Sequence, residues 1–147
     1  MASTTEQFDF IARAASPRAS AFKPLASARG AAFDRPRDLL GNRFVYAVIS
    51  SRARGLSLGV NVNPDKRCNF DCSYCEVDRR QPSTESRLDV TVMATELRQS
   101  LAFIRSGKLD GLPAYQALPA ELRQLRQIAL SGDGEPTLAT NFTAVVQ

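Results

Sequence analysis

Apolar residues occupy every second position over Leu56, Leu58, Val60 and Val62, the period of a β-strand. Pro64 has no ladder donor and biases Asn63 toward extended geometry, so this strand is expected to end at about Asn63. Upstream, the unbroken run Phe44-Val45-Tyr46-Ala47-Val48-Ile49 reads as a short strand. Glu76 to Leu88 is polar, lacks periodicity and reads as a loop. The period then changes. Met93, Leu97, Leu101 and Ile104 fall at i, i+4, i+8 and i+11, one apolar helical stripe, with Thr91 as the candidate N-cap and Gly107 at the left-handed C-terminal position. PAELRQLRQ, with Pro119 at its first position, predicts a second short helix. Ile128-Ala129-Leu130 predicts a buried strand, and Asn141 the cap of a helix from Phe142 onward.

Strand, loop, helices, strand is the order of a βαβ unit, which makes its two strands parallel and their connection right-handed. Ligands of parallel α/β folds sit at the C-terminal ends of the strands. Two loops leave those ends: the segment after Asn63, and SGDGEPT at residues 131 to 137. Both are therefore expected to open on one rim.

Composition changes the picture mainly at the N-terminus. Residues 1–42 mix small residues, Arg and Pro without sustained periodicity and read as a loosely ordered basic extension; residues 43–147 read as the start of a core domain. An organelle transit peptide would share the Arg and Ser content, but Glu6, Asp9, Asp34 and Asp38 speak against it. With 147 residues, 44% of them hydrophobic, the chain can bury one core. No stretch approaches the ~20 apolar residues of a membrane span, and no apolar signal-peptide core is present, so no membrane partner and a cytoplasmic location are expected. The formal charge of +4 and pI near 9.3 suit an RNA partner. A general bias toward Arg and Ala explains them better, because Arg35, Arg37, Arg43, Arg52, Arg54, Lys66 and Arg67 are scattered over tail, strand and loop, as on a solvated face.

The candidate chemistry is concentrated in CNFDCSYC, residues 68 to 75, which holds every cysteine of a chain without histidine. Thiolates so grouped bind zinc, iron–sulfur clusters or one another. A closed zinc site wants four protein ligands and would need a carboxylate such as Asp71 or Asp78, or a ligand from elsewhere. Cys72-Ser73-Tyr74-Cys75 alone has the spacing of a dithiol redox pair, which does not require a third cysteine four residues upstream. A four-iron cluster normally takes four thiolates; with three, one iron stays open to a small molecule.

Cys68, Cys72 and Cys75, spaced C-x-x-x-C-x-x-C with Tyr74 before the last cysteine, together with SGDGEPT after a strand, resemble the two motifs of the radical S-adenosylmethionine enzymes. LGVNVNPDKRCNFDCSYC and LSGDGEPTL are most similar to the branch around the 4-demethylwyosine synthases of tRNA maturation. The resemblance implies an α/β fold, the N-terminal part of a partial (βα)6 barrel, and a chain that is an N-terminal fragment of a longer protein. A sheet of so few strands would leave edges and apolar faces uncovered. The resemblance further implies that Cys68, Cys72 and Cys75 ligate a [4Fe–4S] cluster whose fourth iron chelates S-adenosylmethionine. An external one-electron reductant would drive cleavage of that cofactor to a 5′-deoxyadenosyl radical, which abstracts hydrogen from an unassigned substrate, with tRNA as a candidate. Gly134 and Glu135 would hold the methionine amino group, and Tyr74 would lie beside the adenine. Asp133 stands where the motif more often has its first glycine, and no role follows for it. The alternative is a non-catalytic iron–sulfur or zinc-binding module.

Overall fold

The computed structural model describes residues 37–75, 77–83 and 85–147; the extension assigned to residues 1–42 lies outside them up to residue 36. Strand β1 spans Val45–Ser50 and β2 spans Gly55–Asn61. Helix α1 runs Val90–Arg105, followed by a 3-10 turn at Lys108–Gly111 and two single-turn helices, α2 at Pro113–Gln116 and α3 at Ala120–Arg123. Strand β3, Leu125–Ser131, leads into a 3-10 turn at Pro136–Leu138 and helix α4 at Phe142–Val146.

The sheet has the order β1-β2-β3. Strands β2 and β3 are parallel, with Leu58 opposite Ile128 and Asn61 opposite Ser131. β1 is antiparallel to β2, with Val45 opposite Val60. This corrects the expected architecture: the described residues form a small mixed sheet with helices, not the beginning of a (βα)6 barrel. The reason is the link between β1 and β2. Only residues 51–54 separate them, and a parallel crossover needs a dozen residues or more. A short link forces a reversal, made with Arg54 at φ 56 and with the Ser50 hydroxyl accepting from the Ala53 N–H at 3.1 Å.

Burial follows strand position. β1 alternates, with Val45, Ala47 and Ile49 buried, whereas the central strand β2 is buried on both faces from Gly55 to Val60. Leu39, Phe44, Val62, Leu88, Met93 and Leu109 join the same core. The strand expected to be buried at Ile128 to Leu130 is instead an edge, with Ile128 47% and Leu130 43% exposed.

The helix ends also differ from the pattern reading. Asp89, not Thr91, caps α1, its Oδ1 accepting from the N–H groups of Thr91 at 2.9 Å and Val92 at 3.1 Å. Gly107 adopts φ 74 just past the helix, the left-handed geometry that suits glycine. The PAELRQLRQ helix stops at Arg123, because the Gln124 carbonyl accepts from the Leu56 N–H at 2.9 Å and β3 begins. Asn141 is not a side-chain cap; its Nδ2 donates to the Leu88 carbonyl at 2.8 Å. Among the described residues no helix is long and apolar enough to cross a membrane.

Candidate functional site

Because Asn61 and Ser131 are register partners at the C-terminal ends of β2 and β3, the two motif-bearing loops leave the sheet side by side. They are joined there by backbone and side-chain contacts. The Val62 N–H donates to the Ser131 carbonyl at 2.8 Å, and the Glu135 N–H to the Arg67 carbonyl at 3.0 Å. Gly134 lies against the Arg67 carbonyl so closely that any Cβ there would collide with it. The second loop thus rests on the residue that precedes Cys68.

Asn61 fastens the same seam. Its Oδ1 accepts from the Asp133 N–H at 3.1 Å and the Asn63 N–H at 3.2 Å, and its Nδ2 donates to Asp133 Oδ2 at 2.9 Å. Asp133 therefore has a role where the sequence offered none: it is one half of a clamp between strand end and loop. Asn63 is 1% exposed, and its Oδ1 is buried without a partner among the described residues. A buried acceptor normally finds a donor.

The cysteine segment hangs from this seam. Lys66, in the left-handed region at φ 62, sends Nζ to the carbonyls of Asp78 at 3.1 Å and Gln81 at 3.0 Å. One ammonium thereby draws the two ends of the loop together, in the manner of an Ω-loop. Inside it, the Cys75 N–H donates to the Cys72 carbonyl at 3.0 Å, and Cys68 Sγ accepts from the Phe70 N–H at 3.4 Å. Arg79 Nη2 stands 3.7 Å from Cys75 Sγ. Phe70 and Tyr74 are exposed, Tyr74 by 83%.

All three cysteines are free thiols, two partly exposed and Cys75 exposed. That donor set, on one loop of a chain without histidine, suits an iron–sulfur group better than a closed zinc site. The thiols are not gathered around one point: among the described residues no three of His, Cys, Asp and Glu stand together as a metal-holding set. Glu135 has a local task, its Oε1 accepting from the Thr137 N–H at 3.2 Å and the Thr137 hydroxyl at 2.7 Å as the cap of the 3-10 turn.

Pattern reading missed a second carboxylate. Glu96 of α1 is 8% exposed and accepts from three successive N–H groups, Arg43 at 2.8 Å, Phe44 at 2.9 Å and Val45 at 3.1 Å. One turn on, Ser100 accepts from Asn42 Nδ2 at 2.9 Å. The buried line of α1 is Met93, Glu96 and Ser100, flanked by the apolar stripe. The available signal was the i, i+3, i+7 spacing of these residues, masked by their polarity.

No family model and no solved structure matches the chain. Among curated proteins, it is 30% identical over 102 residues to a UPF0026 protein of Methanocaldococcus jannaschii, covering 69% of this chain and 28% of that one. It is 26% identical over 104 residues to a UPF0026 protein of Helicobacter pylori, covering 70% and 29%. It is 23% identical over 116 residues to a GTPase Obg of Brachyspira hyodysenteriae, covering 77% and 14%. These relatives correct the family expectation. None of them is named as a radical S-adenosylmethionine enzyme or a 4-demethylwyosine synthase; the recurring name is UPF0026 protein. The chain spans less than a third of the length of these relatives.

Proposed function

We propose that Cys68, Cys72 and Cys75 hold a [4Fe–4S] cluster with one iron free of protein ligands, and that S-adenosylmethionine docks at this rim. What supports the reading is the donor set itself: three free thiols spaced C-x-x-x-C-x-x-C on one pinned loop, with the Gly134–Glu135 backbone hydrogen-bonded to the residue before Cys68. When bound, the cluster supplies an electron from an external one-electron reductant for cleavage of the sulfonium to methionine and a 5′-deoxyadenosyl radical, which takes hydrogen from a substrate.

The chain's own residues have separable tasks. The three thiolates hold the metal, and Arg79 sets a positive charge beside Cys75. The Glu135 carboxylate and nearby loop carbonyls receive the methionine ammonium, and Gly134, having no Cβ, lets the Arg67 carbonyl pack against it and so sets Glu135 beside the cysteine segment. Tyr74 offers an exposed ring to the adenine. The basic charge is what supports tRNA as the candidate substrate.

Anaerobic reconstitution with iron and sulfide tests the proposal. About four irons per chain are expected, with a reduced-cluster spin signal that changes when S-adenosylmethionine is added. Glu135→Ala should weaken that ligand's binding and leave iron content alone. Bound zinc, or a cluster indifferent to the ligand, would instead identify a non-catalytic metal-binding module.

A further inference from the structure

Four cations stand in or beside the cysteine segment, Lys66, Arg67, Arg79 and Arg80. Three of them have oxygen acceptors. Lys66 Nζ is held by the carbonyls of Asp78 and Gln81. Arg67 Nε lies 3.4 Å from Asp65 Oδ2. Arg80 grips Asp78 twice, Nε to Oδ1 at 3.0 Å and Nη2 to Oδ2 at 3.3 Å. Arg79 is placed otherwise. It is exposed, pairs with no carboxylate among the described residues, and donates from Nη2 to the Sγ of Cys75 at 3.7 Å. The adjacent carboxylate, Asp78, is taken by Arg80, and Asp71 of the cysteine segment is exposed and pairs with neither arginine. The local charge pattern thus leaves one guanidinium for a sulfur.

Reduction of a four-iron cluster adds one electron and neither makes nor breaks a bond. Its equilibrium is therefore set by how the surroundings hold the added negative charge, and hydrogen bonds to the ligating sulfurs are among the determinants. A guanidinium is a permanent cation with N–H donors, so it stabilises the more negative, reduced state more than the oxidised one. We propose that Arg79 is a positioning residue that acts through the Cys75 thiolate to raise the reduction potential of the cluster. The external one-electron reductant is oxidised, the cluster is reduced, and Arg79 favours that transfer without touching a reacting atom. The inference rests on the cluster reading above and involves neither Glu135 nor Tyr74. Exposure to solvent and salt keeps the effect modest.

The test uses the full chain, reconstituted anaerobically with iron and sulfide and titrated potentiometrically, with the reduced-cluster spin signal as readout. In Arg79→Gln the reduction equilibrium should fall by about threefold or more, a potential about 28 mV lower for one electron. Arg79→Lys, which keeps the charge, should recover more than half of that fall. Arg80→Gln removes a neighbouring guanidinium already engaged by Asp78 and should lower the potential by less than half as much as Arg79→Gln. Iron content should match the parent in all three. An unchanged potential in Arg79→Gln, or an equal fall in Arg80→Gln, overturns the proposal and leaves the cluster reading standing. Loss of iron from Arg79→Gln also overturns it, making Arg79 a support of the loop instead. A parent chain that takes up no iron overturns the cluster reading and this proposal together.

Discussion

Glu96 shows how one residue decides where the sheet starts. Three consecutive N–H groups converge on its carboxylate, and none of them has a ladder partner on that side of β1 to replace it. Glu96→Ala removes the acceptor and leaves buried donors, a loss on the order of 3 kcal/mol, since hydrogen bonds to charged groups are worth about 1.5–3 each. Urea denaturation of the purified chain measures it; a midpoint equal to that of the parent would mean that the three donors find other partners. Asp78 illustrates the opposite case, an exposed pair. Its carboxyl is held below the usual carboxylate range, first by the Arg80 side chain and then by the Arg80 N–H. A depressed carboxyl contributes above its unfolded pKa and loses that contribution as pH falls through the lower folded value. Solvent screens this pair, so the effect belongs to titration rather than to stability. In Arg80→Ala the Asp78 carboxyl should titrate at higher pH, read from its side-chain carbon shift.

At the scale of elements, the seam between the two loops depends on Gly134. Gly134→Ala places a methyl against the Arg67 carbonyl. The loop must back away, and the Glu135 amide loses its acceptor. Amide exchange at Glu135 should accelerate by about tenfold or more, while amides within α1 keep their protection. The stripe of α1 was legible because burial on one face imposes a period, and the alternation at Leu56, Leu58 and Val60 because the other, equally buried face of β2 carries the small residues Ser57 and Gly59. The direction of β1 was not, since a run apolar at every position has no period and says nothing about pairing. Nor was the true cap legible: Thr91 and Asp89 are both good capping residues, and geometry alone chose Asp89. At the site, the cysteine and Gly-Glu segments were legible as candidate loops by spacing. The Asn61–Asp133 clamp was not, because it joins residues far apart in the chain.

Over the whole molecule, the core face of the sheet continues onto β3, where the described residues leave it only partly covered. Val45, Ala47, Leu58 and Val60 are buried, and the residues in register beside them, Ile128 and Leu130, are nearly half exposed. An apolar edge strand of this kind promotes association between copies. Replacing both Ile128 and Leu130 by Thr should reduce concentration-dependent association in sedimentation velocity, at a stability cost of about 1 kcal/mol; unchanged sedimentation would show that this edge is not the sticky one. Lys66 has a different kind of reach. Pinching both ends of the cysteine segment with a single ammonium closes that segment as a unit of its own, which meets the second loop through the Arg67 carbonyl and the Glu135 amide. Its three thiols stand outside the ladder that pairs β1, β2 and β3. Folding and metal capture then become two events in sequence, and stripping the metal with a chelator should leave the melting of the sheet where it was.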